Sequence, residues 1–219
     1  MRFGIIGTGV VGQTLAGKLV ELGHEVTLGS RTKDNEKGVA WAEQAGPRGH
    51  SGTFADAADF GEVVLNATSG TVALAALRAA GAERLAGKLL VDVSNPLVFS
   101  PEGEVTLDPA NTDSVGEQIQ REFPQARVVK ALNTVTAPVM VDPARLAGEH
   151  NIFVAGDDDA AKAEATALLE QFGWPAGSVI DLGDIKGARA MEMMMPFWIR
   201  LMRSFGTAEF NYSFKRAAQ

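Results

Sequence analysis

The chain has 219 residues and a formal net charge of −7, and 46% of its residues are hydrophobic against 21% charged. This balance is typical of a folded globular protein, and the negative charge argues against nucleic acid or an anionic membrane surface as partner. The absence of cysteine excludes disulfides, thiolate nucleophiles and thiolate metal sites. No apolar run approaches the roughly 20 residues of a membrane-spanning helix, and glycines near the N-terminus do not fit a signal peptide, so we expect a soluble, cytoplasmic protein.

Short β-branched runs alternate with longer helical stretches over most of the chain. Residues 2–7 predict a buried strand, and residues 10–23 predict a helix, because apolar side chains recur there at helical spacing until Gly23. Further strands are predicted at 24–30, 61–68, 87–95, 126–133, 150–159 and 177–183. Further helices are predicted at 36–46, 53–60, 71–81, 113–123 and 160–173. Strict alternation predicts an α/β fold of the Rossmann type, with a doubly wound and mostly parallel sheet.

Two stretches interrupt this alternation. Residues 95–114 contain three of the nine prolines and show no clear periodicity, which is typical of a functional or disordered loop. Residues 185–206 are apolar on nearly every side of a helix, so we expect a buried C-terminal helix that bends at Pro196.

The first turn of the chain carries a phosphate-binding pattern. Gly7, Gly9 and Gly12 fit G-x-G-x-x-G between a predicted strand and a predicted helix. Gly7 permits a tight turn, Gly9 lets the backbone approach a pyrophosphate, and Gly12 allows close packing of helix and strand. The amides at the N-terminus of the helix favour the phosphate charge, so the segment predicts dinucleotide binding.

The end of the second predicted strand indicates which dinucleotide is preferred. NAD-binding domains usually have an acidic residue here that accepts hydrogen bonds from the ribose diol. This chain instead has Ser30, Arg31, Thr32 and Lys33, a guanidinium, an ammonium and two hydroxyls that suit a 2′-phosphate. We therefore expect NADP rather than NAD, with the alternative that a carboxylate at 34 or 36 reaches the ribose.

Residues with the usual catalytic roles of a dehydrogenase are poorly placed. The three histidines lie at predicted element boundaries or on an edge strand, and Tyr212 is one residue too close to a lysine for a Tyr-x-x-x-Lys pair. Lys130 and Asn133, at the end of a predicted strand, stay open as a candidate catalytic pair. No cluster of His, Asp and Glu indicates a metal. We therefore predict no metal site. We also predict no catalytic acid, because an acceptor with its own redox chemistry needs only to be oriented against the nicotinamide.

Four stretches of the chain, 1–31, 128–135, 154–162 and 188–206, together resemble the NADP oxidoreductases that use the deazaflavin coenzyme F420. The segments 91–96 and 128–135 are also similar to the reductase domain of the STEAP metalloreductases. The resemblance runs over essentially the whole chain. It implies a homodimer in which the C-terminal helix packs between subunits and roofs the acceptor site.

The same resemblance assigns residues to each part of the cofactor. It places the pyrophosphate against Thr8, Gly9, Val10 and Val11, and the 2′-phosphate against Ser30, Arg31 and Lys33. It implies these nicotinamide neighbours: Thr68, Ser69, Ser94, Asn95, Asn133 and Thr134. The deazaflavin enzymes of the family carry a histidine where this chain has Asn133. The asparagine agrees better with the metalloreductases.

These observations predict an NADPH-dependent oxidoreductase that passes hydride to a small-molecule acceptor, a deazaflavin (F420) or a flavin (FAD or FMN). We expect an NADP-binding domain at 1–182 and a C-terminal helical segment for dimerisation and the acceptor at 183–219. Two alternatives stay open. One is a reductase of a small carbonyl or imine substrate, with Lys130 the first residue to test as its acid. The other is a non-enzymatic NADPH sensor.

Overall fold

The computed structural model describes residues 1–217. Its ten strands are β1 (Arg2–Ile6), β2 (Glu25–Ser30), β3 (Gly49–Thr53), β4 (Val63–Asn66), β5 (Leu89–Asp92), β6 (Leu97–Phe99), β7 (Val105–Leu107), β8 (Arg127–Ala131), β9 (Ile152–Ala155) and β10 (Val179–Asp181). Its helices are α1 (Val10–Glu21), α2 (Glu36–Ala45), α3 (Phe54–Phe60), α4 (Gly70–Ala80), α5 (Ala82–Leu85), α6 (Val115–Glu122), α7 (Ala137–Val141), α8 (Asp159–Gln171), α9 (Gly187–Met193) and α10 (Met195–Phe205).

Eight of the strands form one sheet in the order β10-β9-β8-β5-β4-β1-β2-β3. All neighbours in this sheet are parallel except β8 and β9, which are antiparallel. The predicted doubly wound, mostly parallel sheet is therefore confirmed. The chain proceeds from β1 through β2 to β3 on one side and continues with β4 and β5 on the other. This reversal opens a crevice above the carboxyl end of β1, where ligands bind in open α/β sheets.

Helices cover both faces of the sheet, which separates two apolar layers. Phe3 and Ile5 of β1 pack with α1, α2, α7 and α8, whereas Ile6 of the same strand packs with α3 and α4. This alternation follows from the two-residue period of a strand. The α3 helix lies so close to β1 that a Cβ on Gly4 would stand 2.0 Å from the carbonyl oxygen of Ala57. Close packing on both faces fixes the strand ends that form the crevice.

The two irregular stretches of the sequence pack against each other. Residues 97–107 contain the antiparallel hairpin β6–β7, so the expectation of an irregular loop is wrong for this part. Leu97, Val105 and Leu107 of the hairpin pack against Met195, Trp198 and Ile199 of α10. The periodicity is weak because each strand has only three residues and one covered face.

The apolar C-terminal stretch is divided into two helices at Met194, with Pro196 in the first turn of α10. The stretch is therefore interrupted next to Pro196 and does not form one continuous helix. The prediction of burial on every side is wrong within the single chain, because Phe197 and Phe205 are each 57% exposed. Within the described residues, no helix is long and apolar enough to cross a membrane.

Candidate functional site

Close packing at the turn between β1 and α1 requires two of the three glycines. Gly7 has a φ of +119°, and a Cβ there would lie 2.8 Å from the carbonyl oxygen of Ala67. A Cβ on Gly12 would lie 2.1 Å from the carbonyl oxygen of Gly7, which no side chain tolerates. Both glycines are required for α1 to start directly above the end of β1.

Gly9 has a different environment. It is the N-cap of α1 with a φ of −75°, which any residue adopts, and a Cβ there would meet nothing within 4 Å. Nothing inside the chain therefore requires glycine at this position, and the open space lies on the side of the crevice. The first turn of α1 contains no acidic residue, so its free amides and positive dipole end are available to an anion.

A cavity of about 430 Å³ lies in this crevice, between the turn before α1 and the ends of the central strands. Most of the residues predicted for the pyrophosphate and nicotinamide line it together. They are Gly9, Val10, Val11, Thr68, Ser69, Ser94, Asn95 and Asn133. The parallel register of β1, β4, β5 and β8 brings these segments to one edge of the sheet.

The other predicted residues lie outside the cavity wall. Thr8 lies beside Gly38 of α2, and Thr134 is 1% exposed, with a hydroxyl that has no hydrogen-bond partner among the described residues. Ser30 is buried, and its hydroxyl donates to the carbonyl of Thr32. The side chains of 31–33 are exposed beyond the carboxyl end of β2, next to β1. No carboxylate of the described chain forms an ion pair with Arg31 or Lys33.

The polar wall of the cavity contains atoms without a hydrogen-bond partner. Asn133 follows Leu132, whose φ of +65° is uncommon for a side chain of this size and turns the chain at the end of β8. Ser94 Oγ and Asn133 Oδ1 are buried and have no partner among the described residues. Buried polar atoms are normally paired, so these two indicate a wall built for a polar ligand.

The opposite wall of the cavity is largely apolar, and the sequence analysis assigned only its C-terminal helix to the site, through the family resemblance. It is formed by Leu97 and Phe99 of the hairpin, Met195 and Trp198 of α10, and a segment that enters α7 comprising Val135, Thr136, Ala137 and Met140. The stripe of apolar residues that contains Met195 and Trp198 was visible in the sequence as helical periodicity. Only the docking of α10 on the hairpin shows that this stripe faces the strand ends.

An ionic cluster lies behind the polar wall. Lys130 Nζ is 2.8 Å from Asp92 Oδ2 and 2.8 Å from Glu192 Oε1, and all three side chains are at most 2% exposed. Burial by itself would lower the pKa of Lys130, but the two carboxylates outweigh this effect and hold the pKa above its ordinary value. Lys130 is also absent from the cavity wall. Lys130 is therefore poorly placed to act as a catalytic acid at this cavity.

The cavity wall contains no ionisable side chain among the residues that the structure describes. In the same part of the chain, no group of three or more acidic or histidine side chains is arranged to hold a metal ion. A larger cavity of about 630 Å³ lies elsewhere, between the β10 edge and residues 213–216, and includes none of the predicted site residues. The wall of the smaller cavity is thus suited to binding and stacking rather than to proton transfer.

Comparison with known proteins assigns the chain to a family. Residues 2–96 match the family described as NADP oxidoreductase, coenzyme F420-dependent. The solved structure of a candidate F420-dependent NADP-reductase from Arthrobacter sp. FB24 is 52% identical, covers 97% of this chain and 98% of its own, and superposes with a TM-score of 0.91. The chain belongs to the F420-dependent NADP oxidoreductase family. It is an NADP-dependent oxidoreductase, and the resemblance stated from the sequence is confirmed.

Two further relatives are more distant from this NADP oxidoreductase. The metalloreductase STEAP3 of Rattus norvegicus is 30% identical over 204 residues, which are 90% of this chain. The chain spans only 38% of the length of STEAP3. An imine reductase of Streptomyces aurantiacus is 22% identical with a TM-score of 0.65 and covers 94% of this chain and 64% of its own. At this identity the likeness shows the shared fold alone.

Proposed function

We propose that this oxidoreductase transfers hydride between NADP(H) and the flat ring of a deazaflavin such as F420, or of a flavin (FAD or FMN). The observation that carries the proposal is the composition of the 430 Å³ cavity, polar on the strand side, apolar on the opposite side, and without an ionisable side chain among the described residues. Such a cavity suits a reaction in which two stacked rings exchange hydride and the protein supplies only orientation and exclusion of water.

In this proposal the NADP pyrophosphate lies against the N-terminus of α1. The space beside Gly9 admits the phosphates, and the residues from Thr8 to Val11 contribute backbone amides to them. The 2′-phosphate lies at the end of β2, where Arg31 and Lys33 are exposed and Thr32 adds a hydroxyl. Ser30 braces this turn through its hydrogen bond to Thr32.

The nicotinamide lies against the polar wall in the same proposal. Its carboxamide donates and accepts hydrogen bonds, which matches the unpaired oxygens of Ser94 and Asn133 after a small adjustment. Thr68 and Ser69 border the ring from the N-terminus of α4. Thr134 follows Asn133 and is buried, with a hydroxyl that has no hydrogen-bond partner among the described residues. The acceptor ring then stacks on the nicotinamide beneath Phe99, Met195 and Trp198.

The structure gives less support to the two alternative functions. A carbonyl or imine reductase needs a proton donor at the substrate, whereas Lys130 is sequestered and the described wall offers no other. A sensor needs an element that changes conformation when the ligand binds. The cavity is already large enough for a small-molecule ligand without such a change. Hydride transfer to a redox ring is the function that the geometry supports best.

We further propose that the chain forms a homodimer through α10. Phe197 and Phe205 lie exposed on this helix, and Met193 of α9 and Phe99 of the hairpin are 45% and 65% exposed. Large exposed aromatic side chains on one segment are typical of a protein interface. A second copy of the chain would cover this face and close the acceptor side of the cavity. In this arrangement 1–182 binds NADP and 183–219 serves dimerisation and the acceptor.

The test is oxidation of NADPH by the purified protein with F420, FAD and FMN offered in parallel. We expect turnover with at least one of these rings. The matched variant is Gly9→Ala, because the added Cβ meets no protein atom within 4 Å but occupies space at the proposed phosphate site. This variant should unfold at the wild-type temperature and lose turnover with every acceptor. Tight NADPH binding without turnover in any of these assays would contradict the proposal and leave the carbonyl or imine reductase and the sensor to be distinguished.

A further inference from the structure

The buried cluster of Asp92, Lys130 and Glu192 contains two acidic side chains and only one basic side chain. Asp92 accepts hydrogen bonds from Asn66 Nδ2 and from the Ser94 amide at 2.8 and 3.2 Å, in addition to its contact with Lys130. Glu192 accepts from the amides at 115 and 116 at 3.0 and 3.1 Å. Since every one of these contacts is a donor to a carboxylate oxygen, both acids are ionised. Two negative charges therefore face one buried cation.

This cluster reaches the polar wall through two short connections. Lys130 Nζ donates to the Ser94 carbonyl at 2.6 Å, and the Ser94 amide donates back to Asp92. On the other side, Thr68 Oγ1 donates at 2.8 Å to Asn66 Oδ1, whose amide nitrogen holds Asp92. Ser94 and Thr68 both line the cavity. The charged side chains of the cluster are therefore hydrogen-bonded directly to Ser94 of the cavity wall, and through Asn66 to Thr68.

The net charge of the cluster is negative and poorly screened. Lys130 offsets one carboxylate, and the N-terminal amides of α6 offset only part of the charge of Glu192, because a helix terminus contributes about half an elementary charge. All three side chains are buried away from water and salt, so their field acts over a longer distance than that of surface charges.

We propose that this buried negative charge makes bound NADPH a stronger hydride donor. Loss of hydride breaks the C4–H bond of a neutral dihydronicotinamide, sends the hydrogen with both electrons to the acceptor ring, and leaves a positively charged nicotinamide. The cluster stabilises that cation relative to the neutral ring, both in NADP⁺ and in the transition state. The inference rests on the proposed position of the nicotinamide against Ser94 and Thr68.

The experiment compares the dissociation constants of NADP⁺ and NADPH in wild type, Glu192→Gln and Asp92→Asn. Each substitution removes one negative charge from the cluster while keeping the shape of the side chain. We expect the ratio of the NADP⁺ constant to the NADPH constant to rise by about threefold to tenfold in either variant. The matched control is Glu122→Gln on α6, the helix whose first amides contact Glu192, since Glu122 itself pairs with Arg78 at the surface. It should leave the ratio unchanged.

The ratio separates a charge effect from a structural one. A cluster that only anchors α9 would weaken both forms of the cofactor equally, and an unchanged ratio in a folded variant would overturn the inference. Thermal unfolding shows which variants are folded, and either variant alone decides the question. Absence of hydride transfer to every acceptor would overturn the proposed function without moving this ratio, so the two failures are distinguishable.

Discussion

Asn95 and Asn133 hold the ends of two neighbouring strands together by reciprocal hydrogen bonds. Asn95 Nδ2 donates to the backbone carbonyl of Asn133 at 2.8 Å, and Asn133 Nδ2 donates to Asn95 Oδ1 at 2.9 Å. The two residues are 38 positions apart in the chain, and the pair closes the polar wall of the cavity between β5 and β8. Asn133 Oδ1 has no partner among the described residues, so it is the atom of this pair left for a ligand.

Asn133→Ala should impair cofactor binding more than folding. The variant loses the bond to Asn95 and the unpaired oxygen, so we expect the KM for NADPH to rise roughly tenfold and the free energy of unfolding to fall by about 1 to 2 kcal/mol. Steady-state kinetics and urea denaturation measure the two effects. Asn151→Ala is the matched control, since Asn151 makes comparable bonds to the Ser178 carbonyl and the Phe214 amide far from the cavity. Equal changes of KM in both variants would contradict a role at the nicotinamide.

Arg31→Glu should change the choice of dinucleotide. A carboxylate repels the 2′-phosphate of NADPH, whereas NADH has a ribose diol there, so we expect NADPH binding to weaken by roughly 10- to 100-fold and NADH binding to change little. The measurement is the dissociation constant of each cofactor. Arg48→Glu is the control, because Arg48 is exposed before the start of β3, at the amino end of the parallel strands, whereas Arg31 follows the carboxyl end of β2. Equal losses for NADPH and NADH would mean that Arg31 does not contact the phosphate.

Phe197→Glu should produce a monomer. Phe197 is largely exposed on α10, and a charge placed within an apolar interface is costly to bury. Sedimentation should give a wild-type mass of twice 23.1 kDa and a variant mass of 23.1 kDa. Leu22→Glu, which adds the same charge to an exposed apolar position at the end of α1, should remain dimeric. A wild-type protein of single-chain mass at micromolar concentration would contradict the proposed homodimer.

The pH dependence of stability should show the contribution of Asp113. Hydrogen bonds from Arg121 lower the pKa of this carboxyl to about 2 from an ordinary value of 3.8. A lowered pKa in the folded state stabilises the protein above about pH 4, and this contribution disappears as the pH falls towards 2. Asp113→Asn should therefore reduce the free energy of unfolding by about 1 to 2 kcal/mol at neutral pH, allowing for partial exposure.

Urea denaturation of wild type and Asp113→Asn at several pH values tests this prediction. The difference between them should shrink steadily below about pH 4. Asp34→Asn serves as the control, since Asp34 is exposed and forms no ion pair within the described chain. A difference that stayed constant down to pH 3 would mean that hydrogen-bond geometry, and not the charge of Asp113, stabilises the folded state.

The order of the elements and the phosphate-binding turn could be read from the sequence because both depend on local rules. Buried parallel strands appear as short apolar runs, and helices as apolar positions at helical spacing. Gly7 and Gly12 are determined by a turn only six residues long, and Ser30 to Lys33 follow directly on a recognisable strand. The predicted nicotinamide neighbours came from family resemblance, since strand ends distant in sequence show no common pattern.

Only the tertiary structure decided which residues meet. It buried Lys130 between Asp92 and Glu192, which are 38 and 62 positions away, and so placed it outside the cavity wall. It also turned residues 97–107 into a hairpin beneath α10 and left Phe197 outside, although the helix is apolar on nearly every side. The sequence determined where strands, helices and the glycine turn form, because these depend on neighbouring residues. The tertiary structure decided the cavity wall and its charge, because packing between distant segments determines which side chains are removed from water.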